Sequence, residues 1–305
     1  MAGNATCTTL QTTQTTEMKF IIITMMILFW TNILQSQMSS TSLTHGYGNG
    51  TIIGIGGGED DDLVIKEFKK YAGGDSAKIV VIPTALPKEY LQKDSALIYM
   101  KEWFENYGFC DVTILHTNNP DEANNDDFIE PIKTAAGIFF TGGRQWRIAD
   151  SFLNTKAHEE MFKLLDRGGV IAGSSAGATI LGSYLARGDT KNNQIMMGDH
   201  ETGLGFISNV AIDQHVLARN RQFDLFDILN KKPELLGIGI DENTAIVVQG
   251  DILQVIGKSY VLIYDNSFWS REGIELKNTP DEKTLFYFLK SGDKYNLRER
   301  MVIEN

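Results

Sequence analysis

Gly173-Ser174-Ser175-Ala176-Gly177 carries the clearest chemistry in this chain. It matches G-x-S-x-G, the pattern of a nucleophile on a sharp strand-to-helix turn. The requirement is steric, because the turn crowds the residues beside the nucleophile and they must be small. Such a turn lifts the Ser175 hydroxyl above the sheet edge and leaves the N–H of Ala176 pointing at any oxyanion formed there. The same five residues also suit a tightly packed glycine turn without chemistry, so the rest of the chain has to decide. A nucleophilic serine needs a base and a group that orients the base. His215 closes the apolar run Val210-Ala211-Ile212-Asp213-Gln214 downstream of Ser175. Asp241 and Glu242 close the next such run and offer two carboxylates at the same edge, either of which could orient the imidazole. A structural histidine and a polar strand exit are the plainer readings of each feature alone. Serine, histidine and carboxylate at the ends of successive strands make a chain order unlike that of α/β-hydrolases, where the acid precedes the histidine.

The elements that must position these groups alternate. Apolar runs at 51–55, 78–85, 111–115, 136–143 and 170–172 read as buried strands. Helical segments are expected at 62–71, 88–107, 128–135, 146–153 and 158–167, with Leu91, Ile98, Trp103 and Phe104 inward in the second. Unbroken apolar strands alternating with helices predict an α/β fold, a parallel sheet with helices on both faces. Ligands bind beyond the carboxyl ends of such strands, so Gly57-Gly58, Gly142-Gly143 and Ser175 can converge. After Asp189 the pattern changes to a helix at 220–229 and strands near 210–215, 237–240, 244–248, 252–256, 259–264 and 284–289, a C-terminal β extension of the same domain.

Composition excludes several classes. The chain has 305 residues, 42% hydrophobic and 22% charged, with a net charge of −11. No basic block or basic-aromatic stripe appears, which argues against nucleic acid. The glycines after residue 55 fit a dinucleotide fingerprint poorly. Cys7 and Cys110 form no ligand pattern with the five histidines, so no metal and no cofactor is expected. Met18-Lys19 followed by the apolar run Phe20–Trp30 and a polar exit reads as a signal peptide at 18–40, too short to span a bilayer comfortably. The expected plan is an upstream extension 1–17, the signal peptide 18–40, a linker 41–50 and one domain 51–305. That plan implies a secreted or periplasmic protein with no stable membrane association after cleavage.

Five stretches in order resemble the cyanophycinase and peptidase E family of serine peptidases. They are Ile55-Gly56-Gly57-Gly58-Glu59-Asp60, Phe140-Thr141-Gly142-Gly143-Arg144-Gln145, Gly173 to Ala178, Asp213-Gln214-His215 to Arg221, and Gly237 to Ala245. Asp213-Gln214-His215 followed by Arg219-x-Arg221 points to the cyanophycinase branch. The resemblance implies a flavodoxin-like sheet related to class I glutamine amidotransferases, and a homodimer as the oligomeric form. It implies Ser175 as nucleophile, His215 as base and Glu242 as the acid, with Asp241 second, and the N–H groups of Gly143 and Ala176 as oxyanion hole. Gln145, Asp213, Gln214, Arg219 and Arg221 match substrate-pocket positions. The implied substrate is cyanophycin, a poly-aspartate with arginine on each β-carboxyl, and the implied product is the β-Asp-Arg dipeptide. Other aspartyl or isoaspartyl peptides, or peptide binding without catalysis, are the alternatives. Two positions depart from the family pattern: Asp224 stands where a third arginine is usual, and Arg144 where a smaller polar residue is common.

Overall fold

Thr51-Ile52-Ile53-Gly54-Ile55 is buried at every position, as a strand covered on both faces must be. It is β1 (Thr51–Ile55) of a computed structural model that describes residues 44–58, 62–265 and 287–304. The expected extension 1–17 and signal peptide 18–40 lie outside the described residues. β2 (Lys78–Ile82), β3 (Asp111–Ile114), β4 (Gly137–Phe140) and β5 (Val170–Ser174) join β1 in parallel, in the order β1-β5-β4-β2-β3.

Between the strands run α1 (Asp62–Ala72), α2 (Lys88–Leu91), α3 (Asp94–Asn106), α4 (Asp126–Thr134), α5 (Gln145–Phe152) and α6 (Lys156–Asp166). Val64 and Phe68 of α1 and Phe104 of α3 pack with Ile53, Val81 and Phe139 on one face. Ile129, Ile148 and Met161 of α4, α5 and α6 pack with Ile52, Val80 and Phe140 on the other. The expected α/β class with helices on both faces is therefore the observed one. The helix expected at 88–107 is two. Lys93 is extended (φ −93°, ψ 115°) and restarts the helical phase at Asp94. Leu91 and Phe104 stay buried, but Ile98 is left 56% exposed and Trp103 half-buried.

The expected C-terminal β extension divides between two sheets. β6 (Gly182–Tyr184), β7 (Ile207–Gln214) and β8 (Leu236–Ile240) run parallel to one another, and α8 (Phe226–Leu229) lies between the last two. α7 (Ala176–Thr179) follows the elbow serine directly. β9 (Thr244–Gln249), β10 (Ile252–Gly257), β13 (Lys294–Asn296) and β14 (Met301–Ile303) extend the first sheet antiparallel beyond β1, to nine strands among the described residues. β11 (Tyr260–Asp265) and β12 (Tyr287–Lys290) instead join β8, giving a second sheet in the order β12-β11-β8-β7-β6. Ile212, Ile238, Ile240 and Ile263 from this sheet enter the same core cluster as Ile52, Ile171 and Ile246 from the first. The two sheets thus pack face to face over one apolar layer. Of the helix expected at 220–229 only Phe226–Leu229 forms.

The described part of the expected linker is held to the body. His45 and Ser208 exchange backbone hydrogen bonds (3.4 and 2.8 Å), Gly46 N–H donates to Gly250 O (3.1 Å), and the Tyr47 hydroxyl donates to Asp166 (2.9 Å).

Candidate active site

Ser175 sits between β5 and α7 with φ 56° and ψ −114°, a backbone conformation that L residues rarely adopt. Glycines make the turn possible. A Cβ on Gly173 would lie 2.0 Å from Gly177 O, and one on Gly177 would lie 2.3 Å from Phe140 O. The chain after Ser175 closes at once into a helical turn, with Ala178 N–H and Thr179 N–H donating to Ser175 O (2.9 and 3.1 Å). Ala176, the first residue of α7, has its N–H ahead of the intrahelical ladder.

His215 comes from the second sheet, at the end of β7. This corrects the expectation that serine, histidine and carboxylate share one sheet edge: two sheets meet at the site instead. His215 also has a positive φ, 56°, and its N–H donates to Gly56 O (3.2 Å) across the gap between the sheets. Its ring lies against Gly57, where a Cβ would come within 2.2 Å of Cε1. Nε2 is 2.8 Å from Ser175 Oγ, and Nδ1 is 2.6 Å from Glu242 Oε1. With Glu242 ionised, Nδ1–H donates to the carboxylate, and Nε2 is left as acceptor for the serine hydroxyl. Burial, and next the Arg219 cation, hold the His215 pKa below the ordinary imidazole value, against the upward pull of Glu242. A base that stays neutral below the usual range is suited to taking a proton from serine.

Of the two carboxylates after β8, only Glu242 reaches the ring. Asp241 turns away: Oδ1 accepts from Leu217 N–H and Ala218 N–H (3.0 and 2.9 Å), and Oδ2 accepts from the Ser259 hydroxyl (2.6 Å). It fixes the segment that follows His215. Opposite, the Gly142-Gly143 turn lies beside the serine, since a Cβ on Gly142 would stand 3.7 Å from Ser175 Oγ. Gly143 has φ 141°, and a Cβ there would meet Ala85 O at 2.2 Å.

The residues expected to line a substrate pocket divide. Arg219 is half-exposed, with Nε 3.9 Å from Glu242 Oε1. Arg221 is buried and donates to Gln214 Oε1 (3.2 Å) and to Gln214 O (3.3 Å). Gln145 is buried, its amide donating to Ala186 O and Arg187 O (2.8 and 3.0 Å). Asp213 is fully buried and both its oxygens are taken: Arg187 Nε and Nη2 donate to Oδ1 and Oδ2 at 2.7 and 2.8 Å. It holds a cation of the protein itself, in bidentate geometry. The departures Asp224 and Arg144 belong to the same construction. Asp224 Oδ2 accepts from Arg187 Nη2 (2.5 Å), and Arg144 Nη2 donates to Asp189 O.

Arg187 is the residue that reading the sequence missed. It is fully buried, with φ 56°, and joins the loop after β6 to β7 and to the turns before α8. Its partners stand 26 and 37 residues away, so no local spacing marks it. A lone charge in Leu185-Ala186-Arg187-Gly188 is the one sequence signal it leaves. Among the described residues no group of three or more His, Cys, Asp or Glu is arranged to hold a metal ion.

Known proteins match this arrangement in sequence and in fold. The sequence profile of Peptidase family S51 matches residues 49–256. A cyanophycinase from Geminocystis herdmanii is 32% identical over 263 residues, covering 82% of this chain and 94% of that protein. A cyanophycinase from Trichormus variabilis is 31% identical over 269 residues, covering 83% of this chain and 87% of its own length. The crystal structure of a peptidase from an acI-B1 Actinobacterium superposes with a TM-score of 0.61 at 24% identity, over 82% of this chain and 98% of that one.

Proposed function

The chain belongs to peptidase family S51 and is a serine-type peptidase, and from that premise we propose that it hydrolyses cyanophycin to β-Asp-Arg dipeptides. The observation that carries this reading is the chain of contacts Ser175 Oγ to His215 Nε2 (2.8 Å) and His215 Nδ1 to Glu242 Oε1 (2.6 Å). Ser175 Oγ attacks the scissile carbonyl carbon while its proton passes to His215 Nε2. The imidazolium formed is stabilised by Glu242. The carbonyl oxygen becomes an oxyanion, met by the N–H groups of Ala176 and Gly143. His215 then gives its proton to the departing amine, and a seryl ester remains. Water attacks that ester with His215 again as base, releasing the carboxylate product and restoring Ser175.

The half-exposed Arg219 beside the site is suited to a substrate carboxylate, which every aspartyl dipeptide unit presents. The leader expected at 18–40 supports an enzyme acting outside the cytoplasm, on polymer released by other cells. Recovery of the full-length product only from the cytoplasmic fraction would count against that. A second reading, cleavage of other aspartyl or isoaspartyl peptides, is favoured by one observation: Asp213 and Asp224 both bind Arg187, so neither offers a whole carboxylate to a substrate guanidinium.

The test is direct. Purified protein and its Ser175→Ala variant are incubated with cyanophycin, with isoaspartyl peptides and with α-aspartyl peptides, and products are identified by mass. β-Asp-Arg release, with at least a roughly thousandfold slower variant, is expected. Turnover of isoaspartyl or α-aspartyl peptides alone moves the protein to the second reading.

A further inference from the structure

α3 leaves part of its aromatic side uncovered at the carboxyl edge of the first sheet. Between α3 and the ends of β4 and β5 lies a cleft of about 270 Å³, lined by Leu86, Tyr99, Trp103, Phe139, Gly142 and Ser174. Drug-sized sites are about 300–1,000 Å³, so this one is suited to a single long side chain. It adjoins the nucleophile: Gly142, which lines it, stands against Ser175, and Ser174, which also lines it, precedes Ser175 in the chain. It lies on the face opposite the second sheet. Val170 and Ala172 point to the α3 side, and strand alternation sends Ser174 the same way.

The rings are braced rather than loose. Phe104 meets Phe139 edge-on (5.1 Å, 68°), and Trp103 meets Tyr107 at 4.8 Å and 60°. Tyr99 is 63% exposed and Trp103 half-buried, so both have ring surface open to solvent. None of the charged residues of α3, Asp94, Lys101, Glu102 and Glu105, lines the cleft, so its hold on a cation rests on the ring faces.

We propose that this cleft is a second substrate subsite, and that it holds the arginyl side chain of the residue on the acyl side of the scissile bond. The assignment rests on the cyanophycin reading above. An arginine has the two parts such a cleft can use. Its methylene stem packs on Leu86 and Phe139, and its planar guanidinium lies on the faces of Trp103 and Tyr99. Successive units of the polymer would then be read on opposite sides of Ser175, the leaving unit near Arg219 and the acyl unit against α3.

The test uses two synthetic two-unit substrates that differ only on the acyl-side residue, which carries either arginine or citrulline. Citrulline keeps the shape and removes the charge. The wild-type protein should prefer the arginyl substrate about tenfold in kcat/KM, and Trp103→Ala should bring that ratio close to one, with Trp103→Phe between. An equal loss on both substrates, an unchanged ratio, or better turnover of a leucyl analogue would each overturn the assignment. Binding keeps this separable from the catalytic reading. The Ser175→Ala protein, with and without Trp103→Ala, is titrated with Nα-acetylarginine amide and its citrulline counterpart, followed by NMR shifts. Arginine-selective binding that needs Trp103, without turnover of the polymer, overturns the cyanophycin reading and leaves the subsite standing. Polymer turnover indifferent to Trp103 overturns the subsite alone.

Discussion

The two sheets that meet at Ser175 hold their parts of the site by different means. On the first sheet the backbone does it. Gly173 and Gly177 have no room for a Cβ, and Ser175 is bent to φ 56° between them. On the second sheet side-chain charges do it. Arg187 ties Asp213 to Asp224, Asp241 gathers the N–H groups after His215, and Glu242 holds the ring itself. The lesson concerns how each side fails. A substitution on the backbone-held side adds volume where none is available, whereas one on the charge-held side leaves a buried ion without its partner.

The largest effect should come from the charge-held side. Glu242→Gln keeps the shape of the acid but favours the wrong imidazole tautomer, and kcat should fall roughly 10³–10⁴-fold with thermal unfolding little changed. A matching fall in stability would show that the carboxylate holds the fold instead. Arg187→Met should cost about 3–5 kcal/mol in urea unfolding by stranding Asp213, with much of it regained in the double variant Arg187→Met/Asp213→Leu. No recovery would mean that the guanidinium matters for its own sake. On the backbone-held side of the gap, Gly57→Ala places a methyl against the His215 ring, and a displaced base should lower kcat about a hundredfold. The smallest effect is a pH shift. Activity needs neutral His215 and is lost as pH falls through its pKa. Arg219 helps to lower that pKa, so Arg219→Gln should raise it and move the acid limb of the kcat/KM profile to higher pH. A downward or absent shift would remove Arg219 from the electrostatics of the base.

The nucleophile side was the more legible in the sequence, because its signals are local. Small residues packed around Ser175 and apolar runs of strand length identify β5 and its elbow without long-range information. His215 and Glu242 were visible as polar residues ending apolar strands. That β7 and β8 form a sheet of their own was not, since an apolar run looks the same in either sheet and the partner strand decides. Arg187 was invisible because ion pairs between distant loops have no period. Ile98 misled because a two-residue break at Gln92-Lys93 changed the helical phase, and the apolar residues after it no longer faced the core together.

The backbone contacts from His215 to Gly56 and from Asn243 to Gly57, at 3.2 and 2.7 Å, join the sheets at the catalytic edge. A nascent polypeptide that has folded one sheet holds either a hydroxyl without a proton acceptor or an imidazole without a nucleophile. Neither group does chemistry until residues 40 positions apart are in contact. Hydrolytic power thus belongs to the complete two-sheet fold and to neither sheet alone. In a refolding time course, regain of turnover should trail regain of secondary structure.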